Sequence, residues 1–147
     1  FLALWVIGYG IVQSLAPRFT GPGAGHSPDG RAAMVWAVPL AVVPLVIAAA
    51  MAGGVSPQAS LLPGLLLFGV LFAVNSALHS YLIVSYARDD GVSLDVGFYY
   101  MANAMGRLLG TLLSGWVFQT QGILWCLLIS GLFIAVAAVI SAALPRH

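Results

Sequence analysis

The stretch VGFYYMANAMGRLLGTLLSGWV, residues 96–117, decides the class of this protein, because it contains a single formal charge in an otherwise uncharged run. That charge is Arg107, near the middle of the stretch. The run has the length of a membrane-spanning helix, which needs about 20 mostly apolar residues. A charge at the centre of a bilayer costs at least about 2.5 kcal/mol, so an arginine at that depth is expected to serve a function.

The composition of the whole chain agrees with this interpretation. Hydrophobic residues make up 61% of the 147 residues, and charged residues only 6%. A soluble domain has about 25% charged residues, so this chain has too few to cover a surface that faces water. All five basic residues are arginines, and a net charge of +1 provides no basic patch for nucleic acid. The composition therefore predicts an integral membrane protein that binds the lipid bilayer and not nucleic acid.

Five apolar runs follow one another along the chain. Each run is continuous and lacks the alternation of a transmembrane β-strand, which predicts an all-α protein. The first run is short for a full span, and the chain begins inside it, so we expect further spans to precede it. The predicted spans belong to one bundle that takes up residues 1–147, and they cover approximately residues 1–15, 32–52, 61–86, 96–118 and 123–144.

The arginines outside the spans indicate the orientation of the bundle. Four of the five arginines fall in the connections or the tail on one side of the predicted membrane, namely Arg18, Arg31, Arg88 and Arg146. The connections on the other side carry no charge. Because positively charged connections stay in the cytoplasm, the pattern predicts that these four arginines and the C-terminus are cytoplasmic.

The fourth run carries a polar stripe. Its polar residues are spaced by three or four, which places them along one face of a helix: Tyr100, Asn103, Arg107, Thr111 and Ser114. The guanidinium group of arginine stays charged and presents a planar fork that suits phosphate, arsenate or carboxylate. The stripe therefore predicts the binding of a small anionic substrate, with Arg107 as the group that holds the negative charge.

A second polar face lies on the third run. Asn75 and His79 are four residues apart, so they share one face of a helix. Counted from the charged ends at about 1.5 Å per residue, Asn75 and Arg107 lie at similar depths. The two polar faces therefore predict two walls of one aqueous cavity, to which the first run adds Gln13. The predicted substrate-binding residues are Arg107, Asn103, Asn75, His79, Tyr100 and Gln13.

Several of these residues also have a purely structural interpretation. Asn75 and His79 are suited to hydrogen bonding between helices, which is common in membrane bundles. Asn103 is as well suited to supporting Arg107 as to touching a substrate. Arg107 itself can be a structural charge that is bonded to carbonyl groups or to an acid elsewhere. The chain contains no metal-ligand spacing, no phosphate-binding loop and no plausible catalytic triad. We therefore expect no metal, no cofactor and no enzyme.

The order of the runs resembles a known transporter family. The second and fifth runs lack strongly polar side chains and are predicted to support the bundle, whereas the third and fourth carry the polar faces. This order is similar to that of the last four spans of major facilitator superfamily transporters. The resemblance implies the C-terminal five-span portion of a twelve-helix fold, in which the missing N-terminal half of the same protein completes the transporter.

A narrower resemblance rests on three stretches of sequence. The stretches ALWVIGYGIVQSLAP (3–17), FAVNSALHSYLIVSYA (72–87) and DVGFYYMANAMGRLLGTLLSG (95–115) resemble the ArsJ-type organoarsenical efflux permeases of the bacterial inner membrane. That family exports 1-arseno-3-phosphoglycerate, which a partner glyceraldehyde-3-phosphate dehydrogenase produces, and it thereby confers resistance to arsenate. The resemblance implies this export by alternating access. A transporter of another organic anion or of a drug, and a membrane protein without transport activity, are the alternatives.

Overall fold

The computed structural model is helical through nearly all of the residues that it describes, which are 2–20, 30–87 and 92–143. This part of the chain has six helices: α1 (Leu2–Leu15), α2 (Pro17–Thr20), α3 (Gly30–Ala52), α4 (Pro57–Tyr86), α5 (Val92–Gln121) and α6 (Ile123–Ser141). The prediction of an all-α protein is confirmed. Two of the four arginines that predict the orientation, Arg88 and Arg146, lie outside the described residues.

Three helices are long and apolar enough to cross a membrane, which indicates a membrane protein. They are α3 from Arg31 onward, α4 and α6. The helix α1 is apolar but shorter. With 30 residues, α5 is long enough to cross a bilayer, since each residue adds about 1.5 Å. It is the least apolar of the long helices, because it carries Asn103 and Arg107 among its apolar residues.

Local sequence signals explain where several helices begin and end. The helix α4 begins at Pro57, which is four residues before the predicted start at residue 61. The Ser56 side chain accepts a hydrogen bond of 3.4 Å from the backbone nitrogen of Ala59. Serine before the first turn and proline at its first position are both favourable there. A single residue, Gly122, separates α5 from α6, and its φ of 84° favours glycine.

The helices α3 and α4 run in opposite directions. Gly64 of α4 contacts Ile47, near the end of α3, whereas Leu78 of α4 packs against Ala33, near the start of α3. In contrast, α1 runs parallel to α4, because Trp5 contacts Gly69 and the ring of Tyr9 lies 6.0 Å from that of Phe72.

The bundle therefore has two distinct ends. The ends of α1 and α4 and the starts of α3 and α5 lie together, and we call this side the charged end, because Arg18 in α2, Arg31 at the start of α3 and Asp95 at the start of α5 lie there. At the opposite side, the uncharged end, α3 is joined to α4 by 53–56 and α5 to α6 by Gly122.

The most extensive packing is between α3 and α6, followed by that between α3 and α4. Gly131 of α6 lies against Ala41 and Leu45 of α3, which brings these two helices close together. A buried cluster joins α3 and α6 and is formed by Val43, Ile47, Ala48 and Leu127. The helices without strongly polar side chains thus form the packed part of the bundle, whereas α5 contacts α6 and makes few contacts with α4.

Candidate functional site

The polar stripe of α5 is fully accessible within the described part of the chain. All five of its residues are exposed, as is every residue from 101 to 112. The hydroxyl of Thr111 donates to the carbonyl oxygen of Arg107 at 2.8 Å, and that of Ser114 donates to the carbonyl oxygen of Thr111 at 3.1 Å. These two hydroxyls are therefore satisfied by their own helix, which leaves Arg107, Asn103 and Tyr100 as the groups that can reach a ligand.

The stripe lies beside the face that α5 presents to the bundle. That face is marked by Val117, which is buried, and by Tyr99, which is half-buried. With 3.6 residues per turn, Arg107 is rotated by roughly 80° from both of them. The guanidinium group therefore emerges beside the contact face of α5, and not toward α6 or α4.

The polar face of α4 is more enclosed. Asn75 and His79 are both half-buried, and Nδ1 of His79 lies 2.9 Å from the backbone oxygen of Asn75. The side-chain oxygen Oδ1 of Asn75 is buried, and no hydrogen-bond donor contacts it within the described residues. A buried acceptor without a partner costs about 1–3 kcal/mol, so a donor from a ligand or from water would stabilise this position.

The two polar faces approach each other only near the charged end. There the phenol of Tyr99 on α5 lies close to the side chain of Ser80 on α4. Around Gly106 and Gly110, α5 has open space beside it, since a Cβ atom added at either glycine would meet no atom within 4 Å. Farther along, α5 packs against α6, where Sγ of Cys126 lies 3.5 Å from the carbonyl oxygen of Ser114. The structure thus brings Asn75 close to His79, and Asn103 close to Arg107, on two separate helices.

Two cavities of the structure lie elsewhere. One of about 320 Å³ lies between α1 and α4, and one of about 390 Å³ lies between the charged ends of α4 and α5. Neither is lined by any of the six predicted substrate-binding residues. Gln13, the sixth of these residues, is half-buried on α1, which packs on α4. That the six residues form one cavity therefore stays a prediction.

Sequence reasoning missed two residues of the second cavity, Asp95 and Tyr99. The predicted span begins at residue 96, which leaves Asp95 in the connection before it, but Asp95 lies in the first turn of α5 and is half-buried. Tyr99 is four residues later, so both lie on the face that α5 turns toward α4. Their spacing was visible in the sequence, but the first turn of α5 was not predicted to be helical.

The described residues contain no group of three histidine, cysteine, aspartate or glutamate side chains that could hold a metal ion. Comparisons with protein-family models, with curated proteins and with solved structures give no match. The function can therefore be inferred only from the residues and their geometry. Among the predicted substrate-binding residues, Arg107 has the most specific chemistry, because its guanidinium group stays charged and suits anions.

Proposed function

We propose that this chain belongs to an efflux transporter of the major facilitator type, which exports 1-arseno-3-phosphoglycerate across a bacterial inner membrane and confers arsenate resistance. The observation that carries the proposal is the state of Arg107. It lies at the middle of the 30 residues of α5, it is exposed, and it forms no side-chain hydrogen bond or ion pair with another described residue.

The charge of Arg107 requires a partner if α5 crosses a membrane. Each end of α5 is about 22 Å away at a rise of about 1.5 Å per residue, so the guanidinium group cannot reach the headgroups easily. An anion that carries both a phosphate and an arsenate group satisfies this requirement, because two oxygens of either group can accept hydrogen bonds from the planar fork. Asn103, one turn earlier, adds a neutral donor.

The acceptor on α4 complements this anion site. The arsenylated phosphoglycerate also has a hydroxyl group, which can donate a hydrogen bond to the buried Oδ1 atom of Asn75. In the proposed cycle, Arg107 holds the charge, and Asn75, Asn103, Tyr100 and Gln13 provide neutral hydrogen bonds. His79 is the candidate for a proton-linked group, because an imidazole ring can bind or release a proton.

The packing is compatible with alternating access, in which one group of helices rocks against another. The helices α3 and α6 form an extensive apolar contact, whereas α5 approaches α4 mainly near the charged end. Movement of α5 relative to α4 would therefore disturb few contacts. In this proposal the charged end faces the cytoplasm, in accordance with the positions of Arg18 and Arg31.

Arsenic accumulation in arsenate-treated bacteria tests the proposal. The cells express the gene that encodes this chain, with or without a glyceraldehyde-3-phosphate dehydrogenase that arsenylates its substrate. We expect lower cellular arsenic only when both proteins are present. Equal accumulation in all strains, at confirmed expression of both proteins, would refute the export of the arsenical.

Substitution of Arg107 tests the site within the same assay. Arg107→Ala should abolish export, and Arg107→Lys should restore only part of it, because lysine retains the charge but lacks the bidentate fork. Arg18→Ala is the matched control, since Arg18 is also exposed but lies at the charged end. Export that is unchanged in Arg107→Ala would exclude the anion site.

The second candidate is a transporter of the same type for another organic anion or for a drug. Arg107 favours this alternative as well, because its fork binds carboxylates and phosphates without distinction. Competition distinguishes the two candidates. If non-arsenical carboxylates or phosphates compete with the arsenical in transport, and the dehydrogenase is not needed for an effect in cells, the substrate belongs to this wider class.

A further inference from the structure

The cleft between the charged ends of α4 and α5 has a chemistry of its own. It has a volume of about 390 Å³, and six residues line it: Ile83, Tyr86, Ala87, Asp95, Phe98 and Tyr99. Three of them are aromatic, one is a carboxylate, and none carries a positive charge. A ligand in this cleft would therefore meet aromatic rings and a carboxylate, whereas the stripe of α5 presents the guanidinium group of Arg107.

We infer that this cleft binds an organic ammonium ion. Aromatic rings attract a cation over their faces, and quaternary ammonium groups are recognised in proteins by several aromatic side chains together. The carboxylate of Asp95 adds an ion pair or, for a primary ammonium, a charge-assisted hydrogen bond. The apolar side chains of Ile83 and Ala87 suit the alkyl groups that surround the charge of such a ligand.

The lining residues are held in place by contacts on both helices. The phenol of Tyr99 lies close to the side chain of Ser80, so α5 approaches α4 beside the cleft. Tyr86 packs against the buried cluster of Ala33, Leu78 and Leu82. The packing of Tyr86 positions one wall of the cleft before a ligand arrives, which lowers the entropic cost of binding.

The carboxylate does not have to be unpaired for this purpose. Asp95 and Tyr86 each take part in a further interaction within the structure. An ionised carboxylate has about four lone-pair sites on its two oxygens, so it can accept an additional donor while it keeps an existing one. Asp95 also lies in the first turn of α5, where the helix dipole stabilises a negative charge.

The position of the cleft leaves two sources for the ammonium group. The cleft lies at the end of α4, which is long and apolar enough to span a membrane, so lipid headgroups would be nearby. A free amine from the aqueous phase has the same chemistry. Both ligands present an ammonium group to Asp95 and the aromatic rings, and the cleft binds this shared group.

Binding to the full-length protein in detergent tests the inference. The probe is choline, measured by isothermal titration calorimetry or ligand-observed nuclear magnetic resonance, and its neutral isostere 3,3-dimethyl-1-butanol is the matched ligand control. We expect saturable binding of choline and binding of the alcohol that is at least about tenfold weaker, since only choline carries the positive charge that the aromatic rings and the carboxylate attract.

Variants then assign the binding to the cleft. Phe98→Leu keeps the apolar character but removes a ring, and it should weaken choline binding about two- to fivefold. Phe118→Leu is the matched control, because Phe118 is as exposed as Phe98 but lies at the other end of α5. Asp95→Asn should weaken binding about two- to fivefold, because it removes the ion pair with the ammonium group. Any one of three results would overturn the inference: equal binding of choline and the alcohol, unchanged binding in Asp95→Asn, or no saturable binding of choline.

Nanodiscs separate the two sources of the ligand. If the headgroup is the natural occupant, choline should bind more weakly in nanodiscs of phosphatidylcholine than in nanodiscs of phosphatidylglycerol. Equal choline affinity in both lipids supports a free amine, provided that Asp95→Asn weakens binding in each. Neither result depends on arsenical export, because Arg107 does not line this cleft.

Discussion

The contact of α6 with α3 at Gly131 offers a sharp test of the packing. A Cβ atom at this position would lie 2.7 Å from Cδ2 of Leu45, 2.9 Å from Cγ of Leu45 and 3.2 Å from the backbone oxygen of Ala41. Carbon atoms pack at about 3.5–4.0 Å, so the Leu45 side chain would have to move by roughly 1 Å. The carbonyl group of Ala41 cannot rotate away, because it belongs to the helix backbone.

Gly131→Ala should therefore destabilise the protein. Overpacking of a close contact costs about 1–3 kcal/mol. Alanine at a helical position gains up to about 1 kcal/mol over glycine, which offsets part of this cost. Gly115→Ala on α5 is the matched control, since its added Cβ atom would meet no atom within 4 Å. The control variant obtains the gain in helix propensity alone, so the two variants should differ by about 1–3 kcal/mol.

Thermal unfolding of both variants in the same detergent, followed by circular dichroism, measures this difference. For a chain of about 150 residues, 1 kcal/mol shifts Tm by roughly 2–4 °C. We expect Gly131→Ala to unfold several degrees below Gly115→Ala. If Gly131→Ala unfolds at the same temperature as the control or above it, α3 and α6 do not pack at Gly131 as the structure has them.

Three further results are expected. Leu78→Ala should lower the free energy of unfolding by about 2–5 kcal/mol, measured by denaturant titration, because Leu78 is only 1% exposed and its removal leaves a cavity. Asn103→Cys in a Cys126→Ser background should react with a membrane-impermeant maleimide if the stripe of α5 lines water, and a lack of labelling would place it in a packed interior. In a double-mutant cycle of thermal stability, Tyr99→Phe and Ser80→Ala should show a coupling of about 0.5–1.5 kcal/mol if the neighbouring hydroxyls form a hydrogen bond, and additive effects would exclude such a bond.

The helices were predictable because the apolar runs are long and the breaks between them have clear local causes. The turn between α5 and α6 follows from Gly122, and the start of α4 follows from Ser56 and Pro57, although the prediction began that helix at residue 61. That start was placed too late because Gln58 and Ser60 are polar, whereas capping depends on the residue before the first turn. Pro39 and Pro44 lie inside α3, which continues through both.

The candidate site was only partly predictable, because residue spacing defines a face of a helix but not the neighbour of that face. The stripe of α5 and the pairing of Asn75 with His79 on α4 follow from spacing alone. The orientation of Arg107 beside the contact face does not follow from spacing. It depends on how Tyr99 and Val117 of α5 pack against the neighbouring helices. Such contacts between helices are set by side-chain packing that a periodic pattern does not contain.

The exposure of Arg107 restricts what can surround α5 if this helix crosses a membrane. An arginine at the centre of a bilayer is costly on an isolated helix, by about 2.5–3.5 kcal/mol on insertion scales and by more in simulations. The hydroxyls of Thr111 and Ser114 cannot offset this cost, because they already bond to the backbone of α5. Asn103 alone cannot satisfy the five donors of a guanidinium group. If α5 crosses the membrane, its stripe must therefore face water, an anion or another protein segment, and not lipid. Labelling of Asn103→Cys separates water from a protein segment, and the loss of export in Arg107→Ala but not in Arg18→Ala identifies the anion.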